Sequence, residues 1–197
     1  MVEYHFQFLT VRLDGGDCGS YFITIVYASC DRNVRRDLFD SLYRFGNGIN
    51  APWIVGGDFN CVLSPDEKVG GIMQFLNSMI DFQGFVAALG LSDAGYKGST
   101  YTWSNKQSGR SFIKARLDRV LFNSGWSNLK HVLEVNHLIR GVSDHSPLLV
   151  LRRDSAGRRV SRFIFQKMWT THEGFLDFVK EVWNSVQVAR ENHFNIL

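Results

Sequence analysis

The chain has 197 residues, of which 45% are hydrophobic and 14% aromatic, and its formal net charge is +3. This is enough apolar material to bury one sizeable core, so we expect one globular domain with an appendage rather than a disordered chain. No stretch reaches the roughly 18 consecutive apolar residues of a membrane span, and the amino terminus lacks a basic region followed by an apolar one. We therefore expect an intracellular protein without a secretory signal or a membrane partner.

The charges are divided unevenly along the chain. Residues 1–100 carry 7 Lys/Arg and 11 Asp/Glu, whereas residues 101–197 carry 15 and 8. Contacts with a polyanion are expected in the basic half, although a basic solvated surface explains the same pattern. The three cysteines, Cys18, Cys30 and Cys61, lack the spacing of a zinc site or redox pair, which predicts reduced, buried thiols.

The first elements are predicted to be a hairpin and a helix. Two apolar, β-branched runs, His5–Leu13 and Tyr21–Ala28, flank a turn-prone segment and predict an antiparallel hairpin. Apolar residues then recur at helical spacing over Asn33–Phe45, with Asp31 or Asn33 as the cap.

A buried central strand is predicted at Trp53–Val55, a continuous apolar run followed by two glycines and Asp58. An amphipathic helix, Leu76–Leu89, should end at Gly90. Strand patterns follow at Ser99–Ser104, Ile113–Phe122, Lys130–Leu138 and Leu148–Leu151. Because strands outnumber helices and come mostly in hairpins, the pattern predicts an α+β fold with two packed, mostly antiparallel sheets flanked by helices.

The domain is predicted to span residues 1–151. The arginine-rich segment 152–162 is expected to be a linker, and the appendage 152–197 should contain a helix. The apolar stripe of that helix is formed by Phe175, Val179, Val182, Val186 and Val188.

Gly57-Asp58-Phe59-Asn60 places a carboxylate and an amide at the end of the predicted central strand. Residues i and i+2 share a face in an extended chain, so Asp58 and Asn60 could bind a metal or orient a water. Taken alone, the motif is more often an ordinary Asx turn.

Two further motifs carry titratable groups. Asp118 has apolar neighbours in a strand pattern and needs a partner if buried; a salt bridge with an adjacent arginine is the simpler alternative. Asp144 precedes His145, whose imidazole titrates near neutrality and binds phosphate when charged. A Ser-His-Asp hydrolase is disfavoured because the sequence contains no G-x-S-x-G nucleophile elbow.

Over about residues 1–151 the chain resembles the endonuclease/exonuclease/phosphatase family, which includes pancreatic deoxyribonuclease and the abasic-site endonucleases. The resemblance lies in the order of the motifs along the chain: Tyr27, Gly57–Asn60, Thr102-Trp103, Arg116–Asp118 and Ser143–His145. Segments 52–57, 67–71, 101–105 and 116–119 resemble the endonuclease domain of plant LINE-type (non-LTR) retrotransposons. Phe163–Trp169 resembles the segment that joins this endonuclease to its reverse transcriptase, which the sequence does not contain.

The resemblance implies a four-layer deoxyribonuclease-like sandwich that cleaves phosphodiesters with Mg²⁺ or Mn²⁺. Its implied catalytic residues have distinct roles. Asp58 activates the attacking water, Asn60 holds the scissile phosphate and Tyr27 contacts it. His145 stabilises the phosphate charge and is oriented by Asp118.

The resemblance also implies that Asp144 is a metal ligand. Thr102, Trp103 and Asn105 would lie at the rim of the substrate site, where an aromatic ring stacks on a base and polar groups reach the backbone. For Trp103, a place in the core is an equally good alternative.

The sequence departs from the family at its start. The family begins with a strand ending in asparagine, followed by a strand that carries the metal-binding glutamate, and neither precedes Tyr27 here. Glu3 is the only acid ahead of the first hairpin and is a poor match for that glutamate. The resemblance therefore implies an amino-terminally truncated domain, with an exposed sheet edge and an impaired metal site.

Three functions remain open at this point. The first is a DNA endonuclease that primes reverse transcription in the nucleus, with the reverse transcriptase as its partner in the parent polyprotein. The second is a nucleic acid-binding remnant without turnover, which would bind DNA with a steep dependence on salt. The third is a phosphatase of the same family acting on a small phosphoester.

Overall fold

The structure is a computed structural model that describes residues 3–15, 19–71, 76–129, 131–154 and 174–181. It divides into two compact units, Met1–Gly157 and Arg158–Leu197. In the second unit, residues 175–181 are helical. Parts of the sequence-based predictions lie outside the described residues: Cys18, the linker beyond residue 154, Phe163–Trp169, Val182, Val186 and Val188.

In the described part of the first unit, the helices are α1 (Arg32–Gly46), α2 (Leu76–Ala88) and the single turn α3 (Ser124–Ser127). None of the described helices is long and apolar enough to span a membrane. The strands are β1 (Glu3–His5), β2 (Phe8–Asp14), β3 (Ser20–Tyr27), β4 (Trp53–Asp58), β5 (Lys68–Val69), β6 (Ser92–Asp93), β7 (Lys97–Gly98), β8 (Trp103–Ser104), β9 (Lys114–Ala115), β10 (Asp118–Phe122), β11 (His131–His137) and β12 (Leu148–Asp154).

The strands form three sheets. The largest has six strands in the order β1-β2-β3-β4-β10-β6, and the smaller ones have the orders β12-β11-β7 and β5-β9-β8. Pairing is antiparallel except between β3 and β4 and between β7 and β11. The predicted α+β fold with packed, mostly antiparallel sheets and flanking helices is confirmed.

Both long helices begin or end as the sequence predicts. The Asp31 carboxylate caps α1 by accepting hydrogen bonds from the backbone N–H groups of Asn33 and Val34. Leu38 and Leu42 on α1 are fully buried against the large sheet. Shortly after α2, Gly90 has a φ of +58°, a left-handed conformation that glycine adopts without steric cost and that commonly follows a helix.

Strand β4 is buried on both faces because it lies in the middle of the large sheet. Trp53 and Val55 belong to a core shared with α1 and α2, whereas Ile54 belongs to a second core shared with β11. The continuous apolar run in the sequence reflects this two-sided burial. It also fixes the position of the strand end, where Asp58 is found.

An aromatic cluster fills the core beneath the helices. Phe82 on α2 is fully buried, and its ring centroid lies 4.8 Å from that of Phe59 and 5.5 Å from that of Phe39. Truncation of Phe82 would remove these contacts and leave a cavity next to Phe59, which follows Asp58 in the chain.

We expect a Phe82→Ala variant to lose about 3–5 kcal/mol of unfolding free energy. Urea denaturation followed by tryptophan fluorescence measures this loss. Ile80→Ala on the same helix is the control, because Ile80 is 59% exposed and its truncation should cost much less. Equal losses in the two variants would contradict the packing described here.

Three strands differ from the sequence-based expectation. The predicted strand His5–Leu13 is split by a turn, so that β1 folds back onto β2. The predicted strand Ser99–Ser104 is shortened to β8, and the predicted strand Ile113–Phe122 is broken into β9 and β10. The break between β9 and β10 occurs because the amide groups of Leu117 and Asp118 donate to the Thr102 hydroxyl. These tertiary hydrogen bonds replace the ladder that strand propensity alone would predict.

An apolar groove of about 700 Å³ lies between β3, β4 and β10 on one side and β11 and β12 on the other. Its apolar lining includes Ile23, Ile25, Ile54, Val120, Trp126 and Val150. Ile25 is 58% exposed, because a sheet of three described strands covers only part of a face formed by six. The groove ends at Asp118 and His145.

Candidate active site

The register of the large sheet brings three predicted residues to one edge. Asp58, the last residue of β4, lies directly opposite Asp118, the first residue of β10, in the antiparallel pair. Side chains directly opposite each other in such a pair share a face. Tyr27, at the end of β3, lies beside Asp58 in the parallel pair and is 75% exposed. The two carboxylates and the phenol therefore converge at this edge.

Gly57 allows β3 and β4 to approach closely just before Asp58. Its φ is +135°, and a Cβ atom at this position would lie 2.1 Å from the backbone oxygen of Val26. An L side chain rarely adopts this φ and would collide with backbone here, so glycine is required.

His145 joins the two carboxylates from the loop before β12. Its Nδ1 lies 2.9 Å from Asp118 Oδ2, and its Nε2 lies 4.0 Å from Asp58 Oδ2. A carboxylate next to Nδ1 favours the tautomer with hydrogen on that nitrogen. The alternative in which Asp118 pairs with an arginine is wrong, because in the described part of the chain the Asp118 carboxylate pairs with His145.

The Asp58 carboxyl group is buried, with 7% of the residue exposed. Burial raises its pKa to about 6, and repulsion from Asp118 acts in the same direction. The backbone N–H of Asn60 donates to Oδ1 at 2.8 Å and partly offsets this effect. A carboxylate with such a pKa is ionised at neutral pH and more basic than an ordinary aspartate.

Asn60 forms the Asx turn that its motif suggested. Its φ is +50°, and its backbone N–H and Nδ2 both donate to Asp58. Nδ2 also donates to the Ala28 oxygen at 2.6 Å. Since an amide nitrogen carries two hydrogens, both are used within the protein, and a bond from Nδ2 to a phosphate would have to replace one of them.

Asp144 is exposed and lies on the same loop as His145. Trp103 Nε1 donates to Asp144 Oδ2 at 3.0 Å, and this hydrogen bond holds the pKa of Asp144 below its usual value. Trp103 is half-buried rather than a core residue. Its indole therefore connects the predicted metal ligand to the predicted rim.

The other two predicted rim residues have contacts within the protein. The predicted position of Thr102 at the rim is wrong, because this residue is fully buried with its hydroxyl bonded to backbone amides. Asn105 is half-buried; its Oδ1 accepts from Ile113 N, and its Nδ2 donates to Ser111 O. A nucleic acid contact by Asn105 stays a prediction.

The site has the motif order expected for phosphodiester chemistry, and a family profile covers it. The profile of the Endonuclease/Exonuclease/phosphatase family matches residues 5–145. The chain belongs to this family. The matched range includes Tyr27, Asp58, Asn60, Asp118 and His145. A comparison with curated proteins gave no significant match.

Solved structures with the same fold include an endonuclease domain and a 3' phosphatase. The endonuclease domain of TRAS1, a telomere-specific non-LTR retrotransposon, superposes with a TM-score of 0.55 at 16% identity over 73% of this chain and 62% of its own. The APE2 catalytic domain of Xenopus laevis superposes with a TM-score of 0.54 at 15% identity, over 77% of this chain and 57% of its own. The 3' phosphatase NExo from Neisseria, bound to product DNA hairpin, superposes with a TM-score of 0.50 at 16% identity, over 65% of this chain and 59% of its own. The chain thus spans roughly three-fifths of each structure, and these likenesses establish the fold.

The donor set of this family member fits a divalent cation. In the described part of the chain, Asp58, Asp118 and His145 form a group whose ligand atoms all lie within 4.8 Å of one another. Carboxylate oxygens are the ligands that Mg²⁺ and Mn²⁺ prefer. Asp144 is not part of this group, but it supplies a further ionised carboxylate from the loop that carries His145.

Sequence reasoning missed a buried cluster of four charges beside Asp118. Arg119 is fully buried and donates to Glu67 Oε2 at 2.6 Å and to Asp93 Oδ2 at 2.8 Å. Arg116 donates to the other oxygen of each acid, at 3.0 and 2.9 Å. Each arginine therefore bridges both carboxylates, and the two arginines flank Asp118 in the chain. In the sequence, the two arginines around Asp118 were the available sign of this cluster, because Glu67 and Asp93 are distant from them along the chain.

Arg35 was also missed, because it looks like a surface residue of α1. It is 3% exposed; it donates to the backbone oxygens of Ser29 and Cys30 and to Ser78 Oγ. The arginine holds the loop that follows Tyr27. The prediction that the cysteines are buried is right for Cys61 and wrong for Cys30, which is exposed.

Proposed function

We propose that this chain is a divalent metal-dependent phosphodiesterase that nicks DNA, as the endonuclease of a non-LTR retrotransposon. The observation that carries the proposal is the arrangement of Asp58, Asp118 and His145 at one strand edge of this fold. A basic carboxylate, Asp58, lies 4.0 Å from an imidazole that Asp118 orients. Both kinds of group accelerate hydrolysis of a phosphodiester.

Asp58 is suited to take a proton from the attacking water, because its pKa of about 6 leaves it ionised and basic at neutral pH. As the water oxygen forms a bond to phosphorus, the proton passes to Asp58, one P–O ester bond breaks, and the departing oxygen takes up a proton from solvent. The 4.0 Å separation between His145 Nε2 and Asp58 Oδ2 exceeds a hydrogen bond, so Asp58 leaves Nε2 open to a phosphate group. A bound Mg²⁺ or Mn²⁺ would offset the negative charge that develops on the phosphate.

DNA as the substrate is supported by the position of Trp103 and by the relatives. The half-buried indole beside Asp144 offers an aromatic face next to the site, where a base can stack. The TRAS1 structure is the endonuclease of a retrotransposon, and the NExo structure holds a DNA hairpin. We further propose a reverse transcriptase as partner in a parent polyprotein and the nucleus as the place of action.

Nicking of supercoiled plasmid in the presence of Mg²⁺ tests the proposal. We expect the wild-type chain to relax the plasmid, EDTA to stop it, and His145→Ala to slow it by ~10²–10⁴-fold, the usual contribution of a positioned acid or base. His5→Ala is a matched control, because His5 lies on β1, separated from β4 by two strands. A folded wild-type chain that leaves the plasmid supercoiled would contradict the proposal.

A nucleic acid-binding protein without turnover is the second candidate. It is favoured by Asn60, whose two Nδ2 hydrogens both bond within the protein rather than being free for a phosphate. Titration of a labelled DNA duplex at several salt concentrations distinguishes the two. Binding whose affinity falls steeply with salt, without nicking by the same sample, would support this candidate.

A further inference from the structure

Thr102 bonds the backbone of Asp118 and the loop that carries His145. Its side chain is fully buried, and Oγ1 accepts hydrogen bonds from the backbone N–H groups of Leu117 and Asp118, each at 3.0 Å. A hydroxyl oxygen has two lone pairs, so both are used by these amides. The hydroxyl therefore fixes the backbone of Asp118 at the point where β10 begins.

The backbone around Thr102 holds the loop that carries His145. The Thr102 carbonyl accepts from Ser146 N at 2.7 Å, and Ser104 N donates to the Asp144 oxygen at 3.1 Å. Between these two bonds, Trp103 forms a β-bridge with His145. The segment 102–104 thus pairs with 144–146 immediately on both sides of the histidine.

We infer that Thr102 is a positioning residue that sets the geometry of the Asp118–His145 hydrogen bond. This inference rests on the proposed function for its catalytic meaning. The side chain of Thr102 holds Asp118, its main chain holds the His145 loop, and the two groups meet at 2.9 Å. A shift of either partner by about 1 Å breaks this hydrogen bond and frees the imidazole to rotate or change tautomer.

Other contacts near Asp118 act on its neighbours. Arg116 and Arg119 anchor the chain before and after it through Glu67 and Asp93. Among the described contacts, Thr102 is the side chain that binds the Asp118 amide itself. Valine at position 102 has nearly the same shape but no acceptor, so it would leave two buried N–H groups unpaired.

The test compares Thr102→Val with Thr102→Ser, which keeps the acceptor. The first readout is the ¹⁵N NMR spectrum of labelled histidine, in which the His145 signals are assigned by their loss in His145→Gln. We expect wild type and Thr102→Ser to show hydrogen fixed on Nδ1, and Thr102→Val to show a mixture of tautomers. The second readout is plasmid nicking, where Thr102→Val should lower kcat by ~10–100-fold and leave KM within about twofold.

Thr10→Val is the matched control. Thr10 is also fully buried, and its hydroxyl bonds Thr24 Oγ1 at 2.7 Å inside the large sheet. This variant should lose stability without changing the His145 spectrum or kcat. A purely structural role for Thr102 would make the two valine variants behave alike.

An unchanged His145 spectrum in folded Thr102→Val would overturn the inference, whether or not the wild type cleaves DNA. If Thr102→Val does not fold, Thr102→Cys replaces it, because sulfur is a weak acceptor of similar size; a spectrum like that of wild type again counts against the inference. Absence of nicking by wild type overturns the proposed function alone, since the NMR comparison does not depend on turnover.

Discussion

An Asp58→Asn variant is expected to lose DNA nicking and to become more stable at pH 8. Asparagine cannot take the proton of the attacking water, so the rate should fall by ~10²–10⁴-fold. The gain in stability has a separate cause. Burial raises the pKa of Asp58 from 3.8 to about 6, so holding this group ionised in the folded protein costs free energy above pH 6. Removing the charge should therefore raise the free energy of unfolding at pH 8 by about 1–3 kcal/mol.

The sign of the pH dependence follows from the raised pKa. As pH falls through about 6, folded wild type takes up a proton that the unfolded chain does not bind until pH nears 3.8, so wild type gains stability over this range. The stability advantage of Asp58→Asn should therefore be largest above pH 6 and shrink towards pH 4. Wild-type nicking should decline about tenfold per pH unit below 6.

Thermal melts of both proteins between pH 4 and 9 measure this difference. Asp66→Asn is the control, because Asp66 is exposed and its neutralisation should leave the melting temperature nearly unchanged. A variant that is less stable than wild type at pH 8 would show that the Asp58 charge is well solvated or paired in the folded state.

A Glu67→Ala variant should have a large effect on stability. Glu67 accepts from Arg116, Arg119 and the backbone N–H of Leu63. Its removal leaves Arg119, which is fully buried, with Asp93 as its remaining acid partner. Removing one partner of a buried ion pair lowers the free energy of unfolding by about 3–5 kcal/mol. This is a large part of the roughly 5–15 kcal/mol by which a typical domain is stable.

Urea denaturation monitored by tryptophan fluorescence measures this loss. Asp66→Ala serves as the adjacent exposed control. Glu67→Gln should fall between the two, since the amide keeps an acceptor but loses the charge. A loss below about 1 kcal/mol for Glu67→Ala would mean that water replaces the carboxylate, which the burial of Arg119 makes difficult.

The parts of the fold that could be predicted from the sequence are those set by local pattern. Helical spacing located α1 and α2, and the unbroken apolar run located β4. The motifs around Asp58 and His145 were sufficient to expect both at one site, because a resemblance to a family supplied the pairing that spacing does not contain.

The parts that could not be predicted depend on partners distant in sequence. Glu67 and Arg119 are 52 positions apart, and nothing local distinguishes Arg119 from a solvated arginine. Thr102 was expected at the substrate rim because the family resemblance implied that position. Its burial follows from two amides 15 and 16 residues away. Strand propensity likewise fails at 116–117, where side-chain contacts decide the backbone path.

The requirement for glycine at position 57 has a consequence for mutations of its codon. Every amino acid that a single-nucleotide change can introduce at a glycine codon carries a Cβ atom, which at this position would meet the Val26 oxygen at 2.1 Å. Conservative and radical missense changes should therefore be equally damaging, in contrast to most codons, where severity follows the chemistry of the new side chain. In a saturation mutagenesis screen, this codon should tolerate synonymous changes alone.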